Sequence, residues 1–499
     1  PASLVFTDPD NYSYNGRQEF DRQKDHLKSA RLAISHPLGW IFSSVDAGIA
    51  WSDREKTKQA DVFFAYLNGN GSDPGTYDHA FGVPIDPAVL RGRTSLGYGG
   101  IGPIVDYDVL AALDRQFYLT QRNGAGDYDR NYTVREKVPV AYLKFNLDTT
   151  LGSIPLRGNA GVQVVRTEQS SQAFQTTGDD KVGTLTGGAT YTKVLPSLNL
   201  VAELGDKQYL RFGFAKTLTR GRIDDEKVAS SAAVSEVQDG PGAGQVRWSG
   251  SGGNPKLRPY IAVGTDLAWE KYFDDATYVG IDVFNKNILN YIYTRTVADY
   301  DFSGYTNNNP LLTPSSNIGT FSTPQNGTGG RMQGVELEGA LSGARLSPAL
   351  AGFGVQANFA LTNSTIPDST ISNIPGGPKS LPGLSRKTAN LQIYYEAHGV
   401  ALRVAERYRS SFTGEAVALF DQIGYTRIRA NKETDLQASY EFPDGRLKGL
   451  SLLLQVSNLT NEPFESEQVA GLPNSVEVAR PLEYDTWGRT VLLGVNYAL

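Results

Sequence analysis

The feature that most constrains the fold is a period-two alternation of apolar and polar residues, which recurs along the whole chain. In one segment Leu156, Val162 and Val164 alternate with Arg157 and Gln163. Successive side chains of a strand point to opposite sides, so each such segment predicts a β-strand with one apolar and one polar face. The chain is therefore predicted to be all-β.

The alternation predicts about fifteen strands. Several exceed the ~5–6 residues usual in globular sheets and reach the ~9–11 residues that cross a bilayer obliquely. Their polar faces carry Lys, Arg, Asp and Gln, which a water-filled or plugged lumen tolerates and a sandwich core does not. The pattern favours an antiparallel transmembrane β-barrel. The predicted strands lie near 17–36, 40–60, 138–148, 156–169, 185–204, 208–220, 258–272, 276–293, 331–341, 351–364, 386–396, 399–410, 431–442, 449–459 and 489–498.

The connections between these strands are alternately short and long, which is the layout of outer-membrane barrels with short periplasmic turns and long extracellular loops. The short ones are 36–39, 205–207, 273–275, 397–399 and 443–448. The long ones are 61–137, 221–257, 294–330, 365–385 and 460–488. Single-chain barrels close with an even number of strands, and here the count is odd. Residues 1–499 are therefore expected to be the C-terminal portion of a barrel that begins upstream.

Composition and motifs exclude several other classes of function. The net charge of -6, from 47 basic and 53 acidic residues, argues against nucleic acid as a partner. The chain has no cysteine, which excludes disulfides and thiol chemistry. No apolar run approaches the ~18 residues of a transmembrane helix. The four histidines have no metal-ligand spacing, so neither a metal nor a cofactor is predicted; they are His26, His36, His79 and His398.

No catalytic residues are predicted, and the chain is not expected to be an enzyme. The run Gly97-x-Gly99-x-x-Gly102 matches a dinucleotide fingerprint by its letters, but no βαβ unit surrounds it. G-x-S-x-G, H-E-x-x-H and Walker segments do not occur in the sequence. A barrel enzyme would need a Ser or Asp beside a histidine at the lumen edge, and no such motif is recognisable.

Five segments resemble TonB-dependent outer-membrane receptors, in the order in which that family has them. They are YTKVLPSLNL at 191–200, LRFGFAKTLTR at 210–220, GNPKLRP at 253–259, GVELE at 334–338 and VSNLTNEPF at 456–464. Residues 489–499 also resemble the family's closing strand, although Leu499 stands where the family usually has Phe or Trp. The resemblance is closest to the large-barrel branch often linked to oligosaccharide uptake.

The resemblance implies a 22-stranded barrel in the Gram-negative outer membrane, with a plug domain, a TonB box and seven strands upstream of residue 1. Extracellular loops would capture a scarce small-molecule nutrient, an oligosaccharide or a siderophore-type ligand, for import into the periplasm. The TonB–ExbB–ExbD complex would supply energy through the plug. Outer-membrane lipid and lipopolysaccharide would surround the barrel. The alternative is a passive porin-like or structural barrel.

Two sets of residues are candidates for binding substrate. Tyr98, Tyr107 and Tyr118 lie in an aromatic loop, and aromatic rings stack well on sugars; the alternative is that they pack the loop against itself. Three arginines share one face of a strand and would attract an anionic ligand, although a salt-bridged wall against the plug is the favoured interpretation. They are Arg403, Arg407 and Arg409.

An acidic run offers a third, weaker candidate. Asp224, Asp225 and Glu226 follow one another in a predicted extracellular loop. Such a run would suit calcium or a ferric ligand, but it is more often a solvated loop.

Overall fold

A meander of long antiparallel strands forms the body of the chain. The computed structural model describes residues 4–8, 13–73, 75–96, 101–237, 244–366, 379–419, 422–471 and 477–497. Within these ranges fifteen wall strands follow one another, each paired with the next in antiparallel register. The predicted all-β barrel wall and its strand positions are confirmed.

The wall strands are labelled β1 to β15 in chain order. They are β1 Gly16–Pro37, β2 Phe42–Leu67, β3 Tyr132–Leu151, β4 Ile154–Thr177, β5 Asp180–Gly205, β6 Gln208–Thr219, β7 Tyr260–Tyr272, β8 Tyr278–Asp301, β9 Ile318–Ser342, β10 Phe353–Thr365, β11 Lys387–Ala397, β12 Val400–Arg409, β13 Asn431–Glu441, β14 Leu450–Ser457 and β15 Thr490–Tyr497. In the part of the chain that the structure describes, β1 and β15 each pair with a single wall strand.

The two faces of the wall differ sharply in polarity. On one face the register places Leu32, Ile49, Ala141 and Val164 side by side across β1 to β4. Leu32 is 65% exposed and Ile49 is 58% exposed, as expected of side chains that meet lipid. This apolar face is the lipid-facing side of the barrel, and the other face lines the lumen.

The lumen face carries a cross-strand network of polar groups. Asp46 on β2 forms an ion pair with Lys144 on β3, with Oδ2 and Nζ 2.8 Å apart. Asn146 donates from Nδ2 to Asp46 Oδ2 at 2.9 Å. Further along the wall, Asn199 donates to Asn159 at 3.0 Å. Polar residues that would be costly in a dry core are therefore paired with each other around an enclosed interior.

The apolar belt ends toward the extracellular side in a row of charges. Lys28, Asp53, Lys137 and Glu168 lie side by side on the outward face of β1 to β4. Opposite charges on neighbouring strands attract each other at this spacing. Such a row is stable in water and costly in hydrocarbon, so it marks the upper boundary of the membrane-spanning part of the wall.

Several wall strands are longer than the sequence predicts. β2 and β5 have 26 residues each, and β9 has 25. Part of the predicted loop 294–330 is therefore strand, because β8 continues to Asp301 and β9 begins at Ile318. Above the membrane the outer face of a strand meets water instead of lipid, so these upper halves lack the regular alternation of an apolar outer face with a polar inner face.

The turns at the periplasmic end are short, as predicted. The β5–β6 turn has Asp206 and Lys207 at φ of 49° and 54°. Two successive positive φ values are the signature of a type I′ turn, whose twist matches that of the flanking strands. The β9–β10 connection is longer and contains the helix Gly343–Leu346 and the 3₁₀ turn Pro348–Leu350.

The extracellular connections contain smaller elements. The loop after β2 contains the helices Val109–Gln116 and Ala125–Tyr128, the 3₁₀ turn Pro87–Val89 and the strands Val83–Pro84, Leu90–Leu96, Ile101–Tyr107 and Phe117–Gln121. A separate four-stranded sheet contains Phe412–Leu419, Gln422–Ile428, Phe464–Gly471 and Glu477–Asp485. Among the described residues, the search for a helix long and apolar enough to span a membrane found none.

We predict that a charge at the centre of the apolar belt destabilises the barrel strongly. Leu143→Arg places a guanidinium on the lipid face and should cost about 2–4 kcal/mol. The measurement is urea unfolding of the protein folded into lipid bilayers. Gln163→Arg, on the lumen face of the adjacent strand, is the matched control and should cost much less. Equal losses for the two variants would contradict the assignment of the faces.

Candidate functional site

The connection between β6 and β7 folds inward and covers part of the lumen wall. Its first part, residues 220–229, is called the strap. Lys56 of β2 forms an ion pair with Asp224, with Nζ and Oδ1 2.8 Å apart. The backbone N–H of Val228 donates to Ser171 Oγ on β4 at 2.9 Å. Lys56 lies on the same face of β2 as Asp46, so these contacts are inside the barrel.

A small apolar cluster holds the strap against the lumen face of β3. Ile223, Val228 and Ala229 pack against Tyr132 and Val134 of β3. Ala229 is 1% exposed, so this contact excludes water. Two backbone hydrogen bonds also join the strap to the segment after the hairpin, from Asn254 N–H to the Asp225 carbonyl at 2.8 Å and from Gly253 N–H to the Ala229 carbonyl at 3.1 Å. The strap is thus held by side-chain contacts and a few hydrogen bonds, without a continuous strand ladder.

The strap also buries a carboxyl group. Glu226 is 2% exposed and Glu136, on the lumen face of β3, is 3% exposed. Arg220 lies beside Glu136, with Nε and Oε1 2.9 Å apart. Burial, reinforced by the negative charge of Glu136, raises the pKa of Glu226 to about 8. The Glu226 side chain is therefore protonated at neutral pH.

The acidic run that contains Glu226 is not the solvated loop that the sequence favours. Asp224 pairs with Lys56 and accepts a hydrogen bond from the Tyr132 hydroxyl. Glu226 is buried against the wall. That interpretation was wrong because burial of this run depends on β2 and β3, which are distant in sequence. In the described ranges, no group of three or more His, Asp or Glu residues is placed to hold a metal ion.

Beyond the strap the chain forms a hairpin, Ser230–Glu236 and Val246–Gly252, that reaches across the lumen. Its first strand pairs in parallel with the upper end of β4, where Ser230 is opposite Gln175. Its second strand pairs in parallel with the upper end of β9, where Trp248 is opposite Gly319.

The hairpin therefore connects two distant parts of the wall. β4 and β9 are five strand steps apart along the wall, roughly 24 Å at about 4.8 Å per step. The hairpin spans the same interval in three steps, roughly 14 Å. It links β4 directly to β9, so that the hairpin and strands β4 to β9 form a closed ring.

An aromatic core holds the hairpin in place. Trp248 stacks on Phe302, with ring centroids 5.4 Å apart and planes 8° apart. Tyr300 stacks on Phe321 with centroids 4.4 Å apart. Trp248 is 2% exposed and Phe302 is fully buried. Aromatic pairs of this kind contribute beyond the area that they bury, so the hairpin is a fixed element of the extracellular end.

The aromatic rings predicted to bind substrate also contact other parts of the protein. Tyr118 donates from its hydroxyl to the Asn70 carbonyl at 2.8 Å and stacks on Tyr66, 5.6 Å between centroids. Tyr107 lies with its ring centroid 5.2 Å from that of Phe6, which precedes β1 and lies outside the loop. The contacts of Tyr118 are those that the packing alternative predicts, and the role of both rings in binding stays a prediction. Tyr98 lies outside the described residues.

Two of the three arginines predicted at the lumen face are ion-paired. Arg403 lies 3.4 Å from Glu396. Arg407 lies 3.2 Å from Glu433 and 3.1 Å from Asp435. The arginines share a face with these acids, whereas the other face of β12 carries apolar residues such as Leu402. This arrangement agrees with a salt-bridged wall.

The third arginine has a different environment. Arg409 donates from Nε to Ser385 Oγ at 2.7 Å, and its guanidinium carbon lies 3.7 Å from the centre of the Phe412 ring. β12 is ten strands along the wall from β2, where the aromatic loop begins. The arginines and the described tyrosines, Tyr107 and Tyr118, therefore lie on separate stretches of the wall.

Comparison with known proteins identifies the family of the chain. Residues 2–459 match the family model described as TonB dependent receptor-like, beta-barrel. The chain belongs to the TonB-dependent receptor family. This is a family of transport receptors that lie in the outer membrane as barrels, and not a family of enzymes. No curated protein matches the sequence significantly.

Solved structures similar to this TonB-dependent receptor are larger than the chain. The siderophore receptor PiuA from Acinetobacter baumannii is 12% identical with a TM-score of 0.54, covering 99% of this chain and 60% of its own. The unliganded ferric citrate transporter FecA is 12% identical with a TM-score of 0.51, and the match covers 96% of this chain and 55% of FecA. FpvA from Pseudomonas aeruginosa, bound to pyoverdines, is 11% identical with a TM-score of 0.52, covering 96% and 49%.

These likenesses show the shared barrel fold. The chain spans between about half and three fifths of the length of the structures that it matches.

The strap and the hairpin are the parts of this TonB-dependent receptor that sequence reasoning missed. The hairpin had a signal, because Val246, Trp248 and Gly250 alternate with Arg247 and Ser249 in a segment assigned to a loop. The pairing of Glu226 with Glu136 had no signal, because neither residue belongs to a recognisable motif.

We predict that loss of the central ring releases the hairpin. Trp248→Ala removes the stack on Phe302 and should cost the hairpin about 3–5 kcal/mol of local stability. Trypsin added to intact cells should then cut after Arg247 faster than in the unaltered receptor. Leu311→Ala, at a side chain 90% exposed, is the control and should not change the rate. Unchanged cleavage of the Trp248 variant would show that the stack does not hold the hairpin.

Proposed function

We propose that this chain is the barrel portion of a receptor that binds a scarce nutrient at its extracellular face and imports it across the Gram-negative outer membrane. The observation that carries the proposal is the family match over residues 2–459. The apolar outer belt suits a lipid and lipopolysaccharide environment, and the polar inner wall suits a solute pathway.

We infer that a plug domain and seven further strands, giving twenty-two in all, precede residue 1. β1 and β15 each leave one backbone edge without a wall partner in the described ranges. Unpaired backbone groups cost several kcal/mol each in hydrocarbon, so both edges require further strands. The matched structures, of whose length the chain spans 49–60%, also support a longer protein.

The charge of the inner wall supports a plug with a basic face. Asp282 of β8 lies directly opposite Glu336 of β9 on the lumen side, and like charges in that position repel each other. Asp266 of the neighbouring strand β7 faces the same region. A cationic surface within the lumen would neutralise these groups. Through such a plug the TonB–ExbB–ExbD complex would supply the energy for import.

The ligand that we propose is an oligosaccharide, with a ferric siderophore as the second candidate. The resemblance to the large-barrel branch supports the sugar, with Tyr98, Tyr107 and Tyr118 as its contacts. The second candidate is supported by the neighbours, which are a siderophore receptor, a ferric citrate transporter and a pyoverdine-bound protein. Arg403, Arg407 and Arg409 would then meet an anionic chelate, in competition with their present partners.

Uptake by a receptor-deletion strain tests this function and separates the two ligands. We expect the deletion to abolish high-affinity uptake of labelled malto-oligosaccharides, with uptake of ferric citrate and ferric enterobactin unchanged. Loss of chelate uptake alone would replace the sugar by the siderophore candidate.

Disruption of the gene for TonB is the control for active transport. It should reproduce the deletion phenotype, because the energy enters through the plug. Uptake that needs the receptor but persists without TonB would overturn the proposal in favour of a passive porin.

A further inference from the structure

The strap occupies the lumen but is not part of the wall. It leaves β6 after Thr219 and crosses the inner face of β2, β3 and β4. All the pairs between neighbouring wall strands would remain if the strap moved away. A solute that passes from the extracellular end along this side of the lumen would have to pass the strap.

The attachments of the strap can be released without breaking a strand ladder. Both ends carry ion pairs between side chains, Arg220 with Glu136 and Lys227 with Asp129. The backbone of the strap makes isolated hydrogen bonds: Val228 N–H donates to Ser171 on the wall, and the Asp225 and Ala229 carbonyls accept from Asn254 and Gly253. The hairpin that follows has ladder pairs with two wall strands, so the boundary between movable and fixed chain falls near Ala229.

The buried carboxyl of Glu226 makes this attachment sensitive to protons. One of its oxygens, Oε2, is buried and has no hydrogen-bond partner within the described ranges. Ionisation would place a negative charge in this site, next to a second carboxyl. The charged or titratable groups that face it from the strap, β2, β3 and β5 are Arg220, Asp225, Arg54, Glu136 and Tyr191.

The direction in which pH changes docking follows from the pKa of Glu226 in the docked and released states of the strap. While the strap is docked, burial holds the pKa of Glu226 at about 8, whereas after release the group returns toward its ordinary value of 4.5. Between these values the docked state binds one proton more than the released state. The contribution of Glu226 to docking is therefore fully present below pH 4.5, is lost as the pH rises to about 8, and changes little beyond.

We propose that the strap, residues 220–229, is a releasable gate in the extracellular half of the lumen, held shut by the ion pairs of Arg220, Asp224 and Lys227 while the buried Glu226 carboxyl is protonated. Its role in transport rests on the proposed function. Release of the strap opens this side of the lumen while the hairpin keeps the wall in shape.

Thiol labelling tests the release directly and does not depend on the ligand. Residues 1–499 have no cysteine, so Val228→Cys gives this part of the receptor a single thiol, at the docked contact, and labelling of the unaltered receptor is subtracted as background. The full-length receptor in outer membranes is labelled with a membrane-impermeant maleimide at pH 6 and pH 9. Leu311→Cys, at a position that is 90% exposed, measures the intrinsic effect of pH on the reagent and the thiol.

We expect the rate for Val228→Cys, divided by that for Leu311→Cys, to rise by roughly two orders of magnitude from pH 6 to pH 9. Adding Glu226→Gln, which keeps the neutral shape, should abolish the rise and leave the labelling slow at both values. The proposal would be overturned if this ratio were the same at pH 6 and pH 9 with Glu226 intact. It would also be overturned if the rise persisted in the Glu226→Gln variant. Fast labelling at pH 6 would do so too, because the strap would not be docked.

A disulfide lock tests the role of the gate in transport. Ser171→Cys with Val228→Cys joins positions that already share a hydrogen bond, which is within the reach of a disulfide. Asn159→Cys with Asn199→Cys, on paired wall strands, is the matched control lock. The probes are a labelled malto-oligosaccharide and ferric citrate.

The strap lock should reduce uptake of the imported probe to the level of the deletion strain, and a reductant should restore it. The wall lock should have no effect. Full uptake through the locked strap would overturn the gate. If the unlocked receptor imports neither probe, the proposed function fails instead, and the labelling result still decides whether the strap is released.

Discussion

The structure depends on one constraint, which is that every backbone N–H and C=O inside the hydrocarbon layer must have a partner within the protein. The meander of β1 to β15 satisfies it by pairing each strand with the next. The same pairing fixes the faces, because register places Leu32 beside Ile49 on the lipid side and Asp46 beside Lys144 on the lumen side. The lipid-facing and lumen-facing sides of the wall follow from this constraint.

The sequence predicts the membrane-spanning strands, which this constraint governs, but little of the extracellular structure. All fifteen wall strands were located because lipid on one side and water on the other impose a strict alternation in the spanning parts. The upper end of β9 was assigned to a loop because it lies above the membrane, where residues such as Thr323, Gln325 and Gly327 need no apolar partner. Strand pairing continues there through backbone hydrogen bonds, which leave no pattern in side-chain types.

The candidate site was the hardest part to predict because its contacts join distant segments. Tyr118 is an aromatic residue in a long loop, and its identity alone does not distinguish a ring that binds sugar from one that stacks on Tyr66. Arg407 was placed correctly on the lumen face by alternation alone, but its two acidic partners lie on the next wall strand. The burial of Glu226 depends on β3, so one local segment cannot reveal it.

The β6–β7 connection combines two kinds of attachment, and their difference in strength decides where motion occurs. The hairpin buries Trp248 and Phe302, and loss of one such ring costs about 3–5 kcal/mol. The strap depends on ion pairs such as Lys56 with Asp224, and partly exposed pairs of this kind contribute roughly 0–1 kcal/mol each. A force or ligand that disturbs the lumen should therefore release the strap while the hairpin keeps bridging β4 and β9. The hairpin maintains the shape of the wall, and the passage beside it can open without unfolding the barrel.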